Sequence, residues 1–518
     1  MENSHGNSAV KLAIGNDIIF AARPKRMQTV ICKKTVTTEI SEDFILPDYQ
    51  PQIRRLLHVT PMTSIPSHYI SRSMAEFSGN VNWSVLYITE DGKIAEAKLV
   101  SPYDAAVDFE TEDEVAADSF ASDEICIDGI VARVTAPRKL SLRAKLKHCI
   151  RVYGERETET DLLGEVSPAS VKRLTRTLPV NYAVGGIDDS VELEDSFQLP
   201  ADCKVIGTTA NVIASNCEAD PSGIVCRGSV CLKLIYLDVK DQPTVLEHRI
   251  PFTAHVVCPL DGDGWNCRTY GKLIDVSTDT VETDVLCRIR LAVSAEAQKN
   301  LPIQLTSDIF STEKSCKKEL ESLTLPCSLL CLNQSFSHDG SAVIDGLPAD
   351  AHVVDASCVA EAEGITHEKN RYVLSGKCKY STLFSADGDY SVRETELPFR
   401  CEIDSGVATP TDLSAIISVS SCRVRPEGEN YAFSADMNLS LRLCGESAIS
   451  SVCSAKFEED VERRNAAFTV AYISPADSLW DIAKKYCADP TALAEANGIK
   501  VSDISSHESL SGVKYLIV

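Results

Sequence analysis

An internal repeat constrains this 518-residue chain more than any other feature. Three times a glycine opens a short alternating stretch and a proline follows a little over twenty residues later, the unit recurring about every 148 residues. The glycines are Gly79, Gly228 and Gly376, and the prolines are Pro102, Pro251 and Pro398. Side chains alternate faces along a strand, so Val81, Trp83, Val85 and Tyr87 share one face. Val230, Leu232, Leu234 and Tyr236 form the matching set in the second copy, and Cys378, Tyr380, Thr382 and Phe384 in the third. One face of each strand is therefore assigned to a core. Solenoid units run to about 20–50 residues, so each longer copy here is expected to be a domain with its own core, arranged as beads in a row.

Each copy carries an upstream Leu-Pro, at Leu46-Pro47, Leu199-Pro200 and Leu347-Pro348. Each also ends in a second alternating stretch: Leu140, Leu142, Ala144 and Leu146; Val285, Cys287, Ile289 and Leu291; Met437, Leu439, Leu441 and Leu443. Opposite these stand Arg143 and Lys145, Arg288 and Arg290, and Asn438, Ser440 and Arg442, the pattern of an antiparallel sheet with one solvated side. The three glycines are expected to supply a turn or bulge before a core strand.

A net charge of −24 opposes non-specific contact with nucleic acid or an anionic membrane surface. The densest acidic stretch, from Asp108 through Glu110, Glu112, Asp113, Glu114 and Asp118 to Asp123 and Glu124, reads as a solvated loop. Met1-Glu2-Asn3-Ser4-His5 lacks the pattern of a secretory signal, and no apolar run is long enough to cross a bilayer, so the chain is expected to stay in a reducing cytoplasm. Most of its twenty cysteines, such as Cys231, Cys287 and Cys378, then read as small buried hydrophobes. The sequence offers no zinc spacing, no Walker A loop and no G-x-G-x-x-G. No cofactor, metal or catalytic residue is assigned, and the chain is expected not to be an enzyme.

From Phe468 the pattern changes to strand, helix, helix, strand. Asp477 or Ser478 can cap a first helix whose Leu479, Ile482, Ala483 and Tyr486 form one apolar stripe. Asp489 and Pro490 open a second helix, and Asn497-Gly498 stops it. The run Pro475-Ala476-Asp477-Ser478-Leu479-Trp480-Asp481-Ile482-Ala483-Lys484-Lys485-Tyr486 resembles the LysM pattern P-G-D-T-L-W-x-I-A-x-x-Y, with Ala476 at the family's glycine position. LysM modules generally bind N-acetylglucosamine-containing glycans such as peptidoglycan. That resemblance implies a groove formed by Ala476, Asp477, Ser478, Leu479, Trp480, Asn497, Gly498 and Ile499. Of these, Trp480 also reads as a core residue of the module.

Upstream, Ile40-Ser41-Glu42-Asp43-Phe44-Ile45-Leu46-Pro47-Asp48-Tyr49-Gln50-Pro51-Gln52-Ile53 is similar to the entry signature of the SPOCS repeat of spore-forming Firmicutes. Repeats of that kind followed by one LysM module resemble the spore-coat morphogenetic family of the SipL and SpoVID type. The resemblance implies a mainly β chain: an extension (1–23), three tandem antiparallel β-rich SPOCS domains (24–165, 166–308 and 309–462) and a small α+β, βααβ, LysM domain (467–518). It also implies a scaffold made in the mother cell and held at the forespore surface. Its partners would be the SpoIVA-type coat basement-layer ATPase and other coat proteins, with no nucleic acid and no membrane insertion. The alternative expectation is a peptidoglycan-binding protein anchoring β-domains to wall or cortex.

Overall fold

Alternating sequence becomes strand over nearly all of the chain. The computed structural model describes residues 18–71, 73–109, 120–162, 169–200, 203–240, 242–281, 283–348, 350–404, 408–461, 469–474, 477–499 and 504–518. The first repeat holds β1 (Ile18–Ile45), β2 (Ile53–Thr63), β3 (Ser67–Ile70), β4 (Met74–Thr89), β5 (Ile94–Asp108), β6 (Ala121–Ala136) and β7 (Lys139–Leu162). The second holds β8 (Val171–Gln198), β9 (Lys204–Asp220), β10 (Gly223–Leu237), β11 (Pro243–Val257), β12 (Asn266–Val281) and β13 (Asp284–Ser311). The third holds β14 (Lys314–Ala342), β15 (His352–Glu368), β16 (Arg371–Ala386), β17 (Asp389–Asp404), β18 (Asp412–Glu427) and β19 (Asn430–Asp460). Strand β1 thus begins inside the stretch read as an extension, and β13 runs past residue 308.

One antiparallel pairing scheme occurs three times. The outer strands of each repeat pair as β1–β7–β6, β8–β13–β12 and β14–β19–β18, and the inner ones as β9–β10–β11 and β15–β16–β17. In the first repeat β2 and β3 together take the place of β9, both pairing with β4, which also pairs with β5. The twelve residues assigned to the core face of β4, β10 and β16 are all buried. Ten of them, all but Thr382 and Phe384, sit in three separate cores, one for each repeat.

The glycines do lie beside a bulge in the second and third repeats, as expected, and they meet a further requirement for space. Gly79, Gly228 and Gly376 lie inside β4, β10 and β16, and each is paired across the ladder with the aromatic residue that follows the repeat's proline: Tyr103, Phe252 and Phe399. A β-carbon there would stand 2.4, 2.7 and 2.6 Å from atoms of those three side chains. Missing side-chain volume, rather than a positive φ, is the requirement, since the ring lies over the glycine and, at Gly228 and Gly376, a backbone carbonyl of the bulged strand would lie 2.1 Å from the β-carbon. The bulge sits on the neighbouring strand, where register shifts leave Ser215 of β9 and Glu363 of β15 unpaired beside the glycine.

Three further expectations are corrected. Hairpin register equates Leu140 and Val285 with Tyr431, so the third late strand begins earlier than Met437. Asn438, Ser440 and Arg442 are consequently buried rather than solvated, because this part of β19 meets the other repeats. The acidic stretch also divides: Asp108 is exposed, whereas Asp123 and Glu124 enter β6 with side chains 0% and 11% exposed; Glu110, Glu112, Asp113, Glu114 and Asp118 lie outside the described residues. Third, the repeats are not beads in a row. The N-terminal end of β1 pairs with β19, joining the first repeat to the third.

All three pairs of repeats are in contact. Glu96 accepts from the Thr208 amide at 3.0 Å, Lys233 reaches Asp355 at 2.8 Å, and Arg55 reaches Asp389 at 2.8 Å. An apolar cluster unites Ile88 and Ile94 of the first repeat, Ile206 of the second, and Leu383 and Tyr390 of the third.

At their junction each repeat contributes one arginine and one carboxylate to a closed ring of alternating charge. Arg268 contacts Glu124 at 3.0 Å and Glu296 at 2.9 Å. Arg151 contacts Glu124 at 3.2 Å and Asp412 at 3.3 Å, and Arg442 contacts Asp412 at 3.3 Å and Glu296 at 3.8 Å. The arginine side chains are at most 3% exposed. Burial raises the proton affinity of Glu124 and Asp412, but the neighbouring arginines outweigh it and hold both carboxyls at about 2. Charges this deep are tolerable only because every one of them has two opposite neighbours.

The C-terminal unit comprises β20 (Val470–Tyr472), α1 (Leu479–Lys485), α2 (Pro490–Ala496), a 3-10 turn (His507–Leu510) and β21 (Tyr515–Ile517), with β20 and β21 antiparallel. Leu479, Trp480, Ile482, Ala483, Leu493 and Leu516 build its small core. Among the described residues no helix is long and apolar enough to cross a membrane.

Candidate functional site

The C-terminal unit is built by its caps. Ser478 caps α1: its hydroxyl accepts from the Asp481 amide at 3.2 Å, while the Asp481 carboxylate accepts from the Ser478 amide at 3.1 Å. Asp489 caps α2 by accepting from the Thr491 amide at 2.8 Å, with Pro490 in the first turn. Gly498 follows the end of α2 with φ +64°, the left-handed conformation that favours glycine.

Most of the expected groove residues are engaged within the unit itself. The Asn497 side-chain amide donates to the Leu493 and Ile517 carbonyls and accepts from the Ile517 amide, each at 2.8 Å, so it ties α2 to β21. Asp477 accepts from the Ser474 amide at 2.8 Å. Ser478, Leu479 and Trp480 are buried, Ile499 packs partly buried against the core, and Gly498 is exposed. Ala476 lies outside the described residues.

Trp480 is the residue that joins this unit to the repeats. Its ring meets Phe310 of β13 edge-to-face, with centroids 4.9 Å apart. Its indole Nε1 donates to Asp308 Oδ2 at 2.9 Å, and Lys484 donates to the same oxygen at 2.6 Å. Lys318 pairs with the other Asp308 oxygen, and Lys172 of β8 pairs with Asp489. Asp308 follows a bulge in the β8–β13 ladder that leaves Ser307 unpaired, a device that redirects side chains. Burial works against ionisation of Asp308, but hydrogen bonds from Lys318, Lys484 and Trp480 more than offset it and keep the carboxylate below its ordinary range. Sequence reading missed this anchor, because nothing local marks Asp308 or Phe310 as partners of a helix 170 residues further along.

Two other features were not anticipated. The outward face of β20 and β21 is wholly apolar and exposed: Val470 pairs with Ile517 and Tyr472 with Tyr515, with Tyr472 82% exposed. Within the first repeat, His148 Nδ1 lies 2.7 Å from Asp123 Oδ2, and His148 Nε2 lies 2.8 Å from the Thr38 hydroxyl. The His148 and Asp123 side chains are fully buried, and the chain of contacts ties β1, β6 and β7 together.

Residues 472–511 match the LysM domain family. A LysM domain is therefore present in the C-terminal unit, on a chain that is otherwise mainly β. No curated protein and no solved structure matches the chain. The family match does not extend over the three repeats.

Proposed function

We propose that this chain is a non-catalytic adhesion protein whose LysM domain recognises N-acetylhexosamine glycan, peptidoglycan above all, while three interlocked repeats form a stiff body behind it. The LysM match at residues 472–511 carries this reading. Docking of the module on β13 through Trp480, Phe310 and Asp308 supports it, because a fixed module presents its ligand-binding face in one orientation to whatever the body is attached to. Sedimentation with insoluble peptidoglycan tests it. The full chain should pellet, and a chain that stays in the supernatant at every glycan load would overturn the reading.

A second reading is favoured by the apolar face of β20 and β21. Two tyrosines, a valine and an isoleucine exposed side by side on so small a sheet suit a protein partner. Under this reading the chain is the spore-coat scaffold that its repeats resemble, held at the forespore surface in the mother-cell cytoplasm, and the module docks on the coat basement-layer ATPase. Replacing Tyr472 and Tyr515 by serine should abolish pull-down of that ATPase without changing the chain's melting behaviour. Unaltered capture would count against docking through this face.

A further inference from the structure

We propose that β6 of the first repeat is an interaction edge to which a second copy of this chain adds its own β6, antiparallel, so that the outer sheets of two bodies run on as one. Among the described residues β6 is the last strand of its sheet and is hydrogen-bonded on one side only, to β7. A bare edge is a template for another strand, and proteins ordinarily blunt it with charge or proline. From Gly129 to Val134, β6 reads Gly-Ile-Val-Ala-Arg-Val, and Ile130 and Val131, on opposite faces, are 41% and 48% exposed.

The corresponding edges of the other repeats are blunted at the same places. Hairpin register matches Gly129, Val131 and Arg133 of β6 with Asp275, Ser277 and Asp279 of β12, and with Ser421, Arg423 and Arg425 of β18, where Pro426 follows. A two-fold axis through the middle residue sets that residue against itself and the first against the third of the other copy. On β12 this opposes Asp275 to Asp279, and on β18 it opposes Arg423 to Arg423, so both edges repel their own copies. On β6 it opposes Val131 to Val131 and brings Arg133 to Gly129 and its bulge neighbour Asp128.

The β6–β7 ladder skips Asp128, leaving it beside Gly129 on the outer face, where it meets the exposed Lys145 at 3.4 Å. A β-carbon on Gly129 would have no atom within 4 Å, so the second copy's Arg133 has room to lie across the glycine and donate to the Asp128 carboxylate, whose two oxygens can accept from more than one cation. On the inner face Ile130 comes opposite Ala132 and Ile127 opposite Val134, which continues the apolar row that Leu140, Leu142, Ala144 and Leu146 form on β7. Charge, space and apolar pattern are thus all self-complementary about Val131, and that favours a second copy over an unrelated strand.

Sedimentation velocity of the full chain over a rising concentration series tests this. The mass should move reversibly from one chain towards two, as suits a contact one strand wide. Arg133→Asp should weaken the association about tenfold, because two symmetric attractions turn repulsive together, and Asp128→Arg should do the same. The two reversals combined should restore it. Val131→Arg, which copies the matching residue of β18, should abolish it. All three positions are exposed, so the melting temperature of the dilute chain should hold. A parent that stays single at every concentration overturns the proposal and leaves the edge to a strand of a different protein. A dimer indifferent to Val131→Arg and to both single reversals overturns it too, since the contact then lies elsewhere.

Discussion

The junction among the three repeats and the junction between the LysM domain and the second repeat are built on opposite plans. Six charges, two from each repeat, close the first into a ring in which the loss of any member leaves two buried neighbours with one partner each. The second depends on one aromatic contact and two carboxylates, Trp480 on Phe310, Asp308 between Lys318, Lys484 and the indole, and Asp489 on Lys172. A closed ring couples its contributors, whereas a small one-sided patch holds a part that can come away alone. The body should therefore unfold as one unit, and the module should be able to undock while the body remains folded.

The largest effect is expected from opening the ring. Arg268→Leu leaves Glu124 and Glu296 without their shared partner, and stranding a buried charge of this kind costs about 3–5 kcal/mol. Urea denaturation should show the whole body losing stability in a single transition. Separate transitions for the three repeats would break the comparison, because the ring would then not be coupling them.

Acid should act next, and through the same residues. Glu124 and Asp412 are held at about 2, below their ordinary values of 4.5 and 3.8, so their contribution is complete above those ordinary values and disappears as pH falls through about 2. The urea midpoint of the body should decline steadily across that window. A flat profile would mean that the ring is not an important source of stability.

Asp308→Ala should have the smallest and most local effect. Losing a charged acceptor shared by three donors costs about 1.5–3 kcal/mol. Limited proteolysis should cut faster near residue 469, while the body's urea midpoint falls much less than in Arg268→Leu, since the body itself loses only the Lys318 pair. A shift of the body's transition by the same amount would show that the two junctions form one cooperative unit.

Much of this was legible in residue order alone. Period-two alternation named the buried face of β4, β10 and β16 correctly at all twelve positions, because that alternation is the direct imprint of a sheet with one covered side. Ser478, Asp489 and Gly498 marked the helix ends because capping is satisfied within a few residues. The glycine requirement was legible only as a bulge, although the rest of its explanation stood next to the prolines: Tyr103, Phe252 and Phe399 each follow one directly. Arg442 and Asn438 were misplaced for a deeper reason. Polar residues on alternate positions look the same whether they face water or another repeat. Only the neighbour decides: Asn438 donates to the Ala214 carbonyl at 2.6 Å, and Arg442 joins the ring.

The sequence by itself determined three copies of one strand pattern, the buried face of each central strand, and a LysM unit with its caps in place. All of these are satisfied by contacts local to a repeat or a helix turn. The tertiary structure alone decided that the copies close on one another, that one arginine and one acid from each meet in a ring, and that Trp480 lies against Phe310. The ring contacts that cross between repeats, and the one from Trp480 to Phe310, join residues more than a hundred positions apart, and pairing at that distance is set by how the folded surfaces fit, which no local pattern encodes.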